Sequence, residues 1–155
     1  MQLTRQTDYA IRVMLYLGIQ PKNQLVTISE IATHFDISKN HLMKIVHKLG
    51  QKEYIQTVRG KYGGLRLLRD PASIKLGALV RDFEATLNVI DCQKLNCPIT
   101  GLCDLKPIMQ QAQEAFLAVI DRNTLRTLLN KPSELRQLLG LEATEALPLQ
   151  VMAVS

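Results

Sequence analysis

Residues 27–49 read TISEIATHFDISKNHLMKIVHKL, and this stretch decides the fold. Thr27-Ile28-Ser29-Glu30 is a capping box: the Thr27 hydroxyl can accept from a first-turn amide while the Glu30 carboxylate reaches back. A short helix is predicted from here to about His34. Phe35-Asp36-Ile37 makes a tight turn, and Ser38 caps a second helix to about Leu49. Ile31, Ile37, Leu42, Ile45, Val46 and Leu49 fall at spacings that bury one face. Lys39, Asn40, His41, Lys44 and Lys48 are left mostly on the other. Two short helices across a three-residue turn, the second polar and basic outside, form a helix-turn-helix pattern.

Downstream, residues 54–59 and 65–68 read as two strands around the glycine-rich turn Gly60-Lys61-Tyr62-Gly63-Gly64, a β-hairpin. Helix-turn-helix followed by a hairpin is the winged-helix arrangement. Arg59, Lys61 and Arg66 set cations along the wing, where phosphates or a narrow minor groove could be met. Upstream, residues 4–18 are predicted as a helix capped by Thr4 or Thr7. Its apolar face is built from Tyr9, Ile11, Val13, Met14, Leu15 and Leu17.

The charge follows this division. Residues 1–75 hold twelve Lys/Arg against five Asp/Glu, a balance of +7, while residues 76–155 hold seven against nine, a balance of −2. The basic half is therefore the candidate for an acidic partner, of which nucleic acid is the commonest. With 46% apolar and 21% charged residues in a chain of 155, a core is feasible. The longest apolar runs, such as Gly77–Val80, are far too short to span a membrane, and the N-terminus does not read as a signal peptide. The expected location is the cytoplasm.

A helix is predicted from about Leu76 to Glu84, then a loop over 86–103, then a long helix to about Arg122 that Asp104 can cap. Leu105, Ile108, Met109, Ala112, Ala115, Phe116, Val119 and Ile120 form a stripe on it that needs a partner, and the same helix of a second chain is the natural one. Short helices are expected over 124–140 and a loose tail over 141–155. The fold class is thus mainly α with a small β-hairpin. A winged helix-turn-helix head spans 1–75, a connecting helix and cysteine loop 76–103, and a dimerisation helix with C-terminal helices 104–140.

The chain's three cysteines, Cys92, Cys97 and Cys103, lie within twelve residues at C-x4-C-x5-C spacing. An odd number in a cytosolic chain argues against a disulfide framework. Soft thiolates select zinc or an iron–sulfur cluster. Structural zinc favours pairs two to four residues apart with a fourth Cys or His nearby, whereas His34, His41 and His47 all lie in the head. Gaps of four and five, bent by Pro98 and Gly101, suit a bulkier cluster. The last iron then needs a donor other than cysteine and is the position a small molecule can attack. A metal-free thiol switch is the remaining alternative. No nucleophile–base set or phosphate loop supports an enzyme.

Together these residues resemble the Rrf family of winged-helix iron–sulfur regulators, and within it the nitric-oxide-sensing bacterial repressors. The likeness covers Met1 to about Leu139. It rests on MQLTRQTDYAIRVMLYL (1–17), ISKNHLMKIVHKL (37–49), VRGKYGGLRL (58–67) and the loop C-x4-C-x-I-T-x2-C-x-L-K (92–106). The resemblance implies that Cys92, Cys97 and Cys103 hold the cluster and that Asp8 of the partner subunit completes a 4Fe-4S centre, a 2Fe-2S form being the alternative. After nitrosylation Asp8 could fall back to Arg12, four residues on, an ion pair it could equally form without any metal. The cluster-assembly regulator of the family has a histidine after its third cysteine, which this chain lacks. The resemblance also places the second helix in the major groove of operator DNA. Ser38, Lys39, Asn40, His41 and Lys44 are the candidates there, with Arg59 and Lys61 on the wing. The implied function is a homodimeric, nitric-oxide-sensitive repressor; a regulator responding to iron or oxidative stress is the alternative.

Overall fold

The computed structural model describes residues 2–90, 92, 97–99 and 101–141. The tail expected from 141 onward falls outside the described residues from 142, as do Asp91, residues 93–96 and Thr100 of the cysteine loop. The elements are α1 (Arg5–Gly18), α2 (Ile28–Phe35), α3 (Lys39–Gln51), β1 (Ile55–Val58), β2 (Gly64–Leu67), α4 (Leu76–Phe83), α5 (Leu105–Asp121), α6 (Leu125–Leu128) and α7 (Pro132–Leu138). This mainly helical chain with one antiparallel hairpin is the expected winged helix. Among the described residues no helix is long and apolar enough to cross a membrane.

The local signals act as predicted in α2, α3 and the hairpin. Thr27 Oγ1 accepts from the Glu30 N–H (3.2 Å) and Glu30 Oε2 accepts from the Thr27 N–H (2.6 Å). Asp36 ends α2 in the left-handed region at φ 50°, a conformation that aspartate tolerates better than most residues. The Ser38 hydroxyl then accepts from the His41 N–H at 3.3 Å to start α3. In the hairpin Ile55 faces Leu67 and Val58 faces Gly64. Gly60 sits at φ 109°, and a Cβ at Gly63 would collide with the Val58 carbonyl, so this turn requires glycine at both places. Val26 and Leu65 exchange two backbone hydrogen bonds (3.0 and 2.7 Å), which fasten the wing to the segment before α2.

One core joins the head to later elements. Val13, Met14, Ile31, Leu42, Leu49 and Leu65 are buried together with Ile74, Leu79, Phe83 and Leu125. The α1 face differs in detail from the predicted stripe. Ala10 and Tyr16 are buried, whereas Tyr9, Ile11 and Leu15 are only partly covered. Tyr16 fits because its ring packs beside His34 (5.1 Å between centroids) and Phe35 (6.1 Å). Burial, with the Glu30 charge adding, raises its phenol pKa.

The long helix α5 behaves otherwise. None of its residues is buried, and Leu105, Ile108 and Val119 are about half exposed. Asp104 occupies the position before its first turn but makes no side-chain cap there, unlike the capping role expected of it; its backbone is already α-helical, so its carboxylate is not aimed along the amides as an extended cap would be. The head holds α5 through Arg81, whose guanidinium donates to both Asp121 carboxylate oxygens at 2.6 and 2.7 Å. A Cβ at Gly77 would collide with Asp121 Oδ1, so the glycine makes room for this two-pronged pair. After α5 the chain returns to the head. The Leu76 N–H donates to Asn123 O (3.0 Å) and the Leu125 N–H to Ile74 O (2.9 Å).

Candidate nucleic-acid interface and cysteine loop

On α3 the apolar stripe Leu42, Ile45, Val46, Leu49 is sealed in the core. Lys39, Asn40, His41 and Lys44 are exposed on the opposite side, and no ion pair among the described residues engages them. Ser38 is exposed as well, but its hydroxyl is engaged as the helix cap. The same face also shows Met43 and His47. Helical spacing of four from Lys39 and three from Lys44 could have flagged both. On the wing Arg59 and Lys61 are exposed at the turn, and the Lys61 ammonium stands 5.7 Å from the Tyr62 ring centre. Arg66 is spent within the hairpin, its Nε donating to Gln56 Oε1 at 2.9 Å.

Cys92, Cys97 and Cys103 are half-buried thiols. The Cys97 N–H donates to Cys92 O at 3.4 Å, and the Leu102 N–H to Ile99 O at 3.0 Å. Beside Cys92 lies a cavity of about 220 Å³ between Asn88–Ile90 of the loop and Lys106, Met109 and Gln113 of α5. Among the described residues no three His, Cys, Asp or Glu side chains of the chain converge as metal ligands. Asp8 is held instead by Arg12 on its own helix, Nε to Oδ2 3.0 Å, with both side chains nearly half exposed. Such an exposed pair contributes only about 0.3–0.5 kcal/mol, so a stronger ligand can displace Arg12 at small cost. The donor set fits an iron–sulfur cluster in kind: three soft thiols on one turn-rich loop and a weakly engaged carboxylate.

The last turn of α4, just before this loop, grips the head at two points. Asp82 accepts from the Tyr54 hydroxyl (2.8 Å) and pairs with the Lys52 ammonium (2.7 Å), at the junction of α3 and the wing. Glu84 Oε1 accepts from the Thr4 N–H (2.7 Å) and from the Thr4 and Thr7 hydroxyls. It caps α1 in place of the threonine hydroxyl expected there, and a carboxylate at that end also meets the positive pole of the helix. Burial pushes both carboxyls up, but the hydrogen bonds from Lys52 and Tyr54, and from Thr7 and Thr4, outweigh it and leave both below their ordinary values. Burial and the bond to Asp82 together raise the Tyr54 phenol pKa.

A carboxyl depressed in the folded state stabilises above its unfolded value, 4.5 for Glu84, and loses that stabilisation as the pH falls through the lower folded value. Glu84→Gln is therefore expected to lower the melting temperature at pH 7, with the gap to wild type closing between pH 5 and 3. A melting series in which the gap stays constant over that range would remove Glu84 from the acid limb.

An exposed, basic helix beside a basic wing defines a winged-helix protein of the transcriptional-regulator class. The chain belongs to the Rrf2 family, whose model, described as "Iron-dependent Transcriptional regulator", matches residues 3–131. It is 41% identical over 145 residues to the HTH-type transcriptional regulator NsrR of Bacillus subtilis, covering 92% of this chain and 99% of that one. It is 44% identical over 142 residues to the NsrR of Geobacillus kaustophilus, covering 90% and 97%. The fold is also that of the B. subtilis global cysteine regulator CymR, with a TM-score of 0.68 at 21% identity over 83% of this chain and 95% of that one.

Proposed function

We propose that this chain is a nitric-oxide-sensitive repressor that binds operator DNA as a homodimer in the cytoplasm. In this reading α3 enters the major groove with Lys39, Asn40, His41 and Lys44 outward, its first turn fixed by Ser38, while Arg59 and Lys61 of the wing meet the minor groove or its phosphates. The uncovered face of α5 supports a two-fold partner, because an apolar stripe of that length is stable only when buried.

Cys92, Cys97 and Cys103 would hold a cluster, 4Fe-4S with Asp8 of the partner subunit or 2Fe-2S. When bound, such a group supplies an iron that is open to attack by nitric oxide. The protein's part is to hold the cysteine loop between the end of α4 and the start of α5, with Cys92 beside α5. Asp82 and Glu84 then carry the state of that loop to the α3–wing junction and to α1, and Asp8 returns to Arg12 when it has no iron to bind. The observation that carries the reading is this placement: the only three cysteines of the chain begin eight residues after Glu84, which stands at the end of the helix that grips the head. The family description as iron-dependent supports a cluster or iron signal, and the resemblance of the cysteine loop and head to nitric-oxide-sensing repressors is what favours the gas.

The test is an anaerobic gel shift on promoter fragments with and without nitric oxide. Treatment is expected to weaken binding by about 5- to 150-fold, the span of an ordinary coupling free energy. Binding that survives the gas but is lost on iron chelation would replace this reading with an iron-responsive regulator, which the same family description accommodates.

A further inference from the structure

Between the first turns of α1 and the outer side of α3 lies a cavity of about 350 Å³, away from the cysteine loop and shared only in part with the groove candidates of α3. Arg5 and Gln6 enter it from α1, and His41, Lys44 and Lys48 from α3; the Tyr9 ring completes the wall. Every polar side chain here is a hydrogen-bond donor or can act as one, and none is a carboxylate. Lys48 is steadied over the Phe83 ring at 4.7 Å and lies near Asp82 and Glu84, both engaged elsewhere. Arg5 and Lys44 are exposed and take part in no ion pair among the described residues. A hollow to which α1 and α3 each bring a donor outside any ion pair among the described residues, Arg5 and Lys44, suits an oxyanion, and Arg5 brings a planar fork that matches phosphate.

We infer that Arg5 and Lys44 together hold one backbone phosphate of the DNA duplex. The inference rests on the DNA-binding reading above. His41 and Lys44 belong at once to the cavity and to the groove-facing side of α3, so a phosphate bordering that groove is the anion brought to this place when α3 docks. Arg5 stands three residues before Asp8 on α1. The helix offered to the metal site is therefore also a helix that touches DNA.

The experiment uses the intact cluster-loaded protein, a duplex enriched by the protein itself from random sequence, and a scrambled duplex of equal length. Affinity is measured across a salt series for wild type, Arg5→Gln, Lys44→Gln and the double variant. Each single variant is expected to flatten the slope of log K against log salt by about 1 and to weaken both duplexes by the same factor. Because one phosphate is shared, the double variant should flatten it no further. An unchanged slope, a loss confined to the enriched duplex, or a slope change that doubles in the double variant would each overturn the shared phosphate. So would inorganic phosphate bound by wild type and lost in Arg5→Gln at unchanged DNA slope, which marks a free-anion site. If no duplex is enriched, or nitric oxide leaves binding intact, the operator reading or its signal fails; the slopes on scrambled DNA still decide the phosphate.

Discussion

Cys92→Ser is expected to give a colourless protein that has lost its iron and its operator binding together. In the proposed reading the three thiols of the loop hold the cluster, and Cys92 is the one that lines the cavity against α5. Serine keeps the size but replaces a soft sulfur with a hard, protonated oxygen. Loss of a partner that merely orients a metal ligand already costs about 10- to 100-fold in metal affinity, so loss of the ligand itself should cost at least about 100-fold. Iron and sulfide, measured after anaerobic purification, should fall to traces. Operator affinity should match that of wild-type protein stripped by chelator. Melting of the head should be nearly unchanged, because Cys92 is outside its core. A Cys92→Ser protein with its full iron content would end the three-cysteine assignment, whatever its DNA binding.

Leu125→Ala is expected to be among the most damaging single truncations outside the helix-turn-helix. Leu125 begins the short helix α6, yet it is fully buried and belongs to the same core as Met14, Leu42 and Leu65. Deleting a buried leucine side chain costs about 2–5 kcal/mol. In a chain of this size each kcal/mol lowers Tm by about 2–4 °C, so a drop of roughly 7–14 °C is expected at the middle of that range. Leu138→Ala is the control: this residue of α7 is 83% exposed, and such surface changes stay within about 0.5 kcal/mol. Equal melting temperatures for the two variants would show that α6 is not part of the cooperative core.

The elements of the head were legible because local chemistry specifies each of them. Thr27, Glu30 and Ser38 announce helix starts, and Gly60 and Gly63 announce the wing turn; neither signal depends on distant contacts. What escaped the sequence is long-range. Glu84 caps α1 from eighty residues away, and no periodicity in either segment encodes that meeting. The Arg81–Asp121 pair and the glycine that admits it are likewise invisible until α4 and α5 cross. Among the site residues, the exposed side of α3 followed from helical spacing, but Arg5 did not, because its role arises only where α1 passes α3. The cysteines were conspicuous by clustering. Asp8 was found through family likeness, and its spacing to Arg12 foretold the ion pair that the chain makes by itself.

The joining of α1 to late parts of the chain also bears on its birth at the ribosome. The first helix to be made is among the last to be completed. Gly18 lies against Leu129, and the Ile19 carbonyl accepts from Arg136 Nη1 at 2.9 Å, a separation of 117 residues. At about 5–20 residues per second, some 6–23 s separate synthesis of Ile19 from that of its partner. Through that interval the buried face of α1 has no finished core to enter, and the first helix waits on residues more than a hundred positions downstream for its cover.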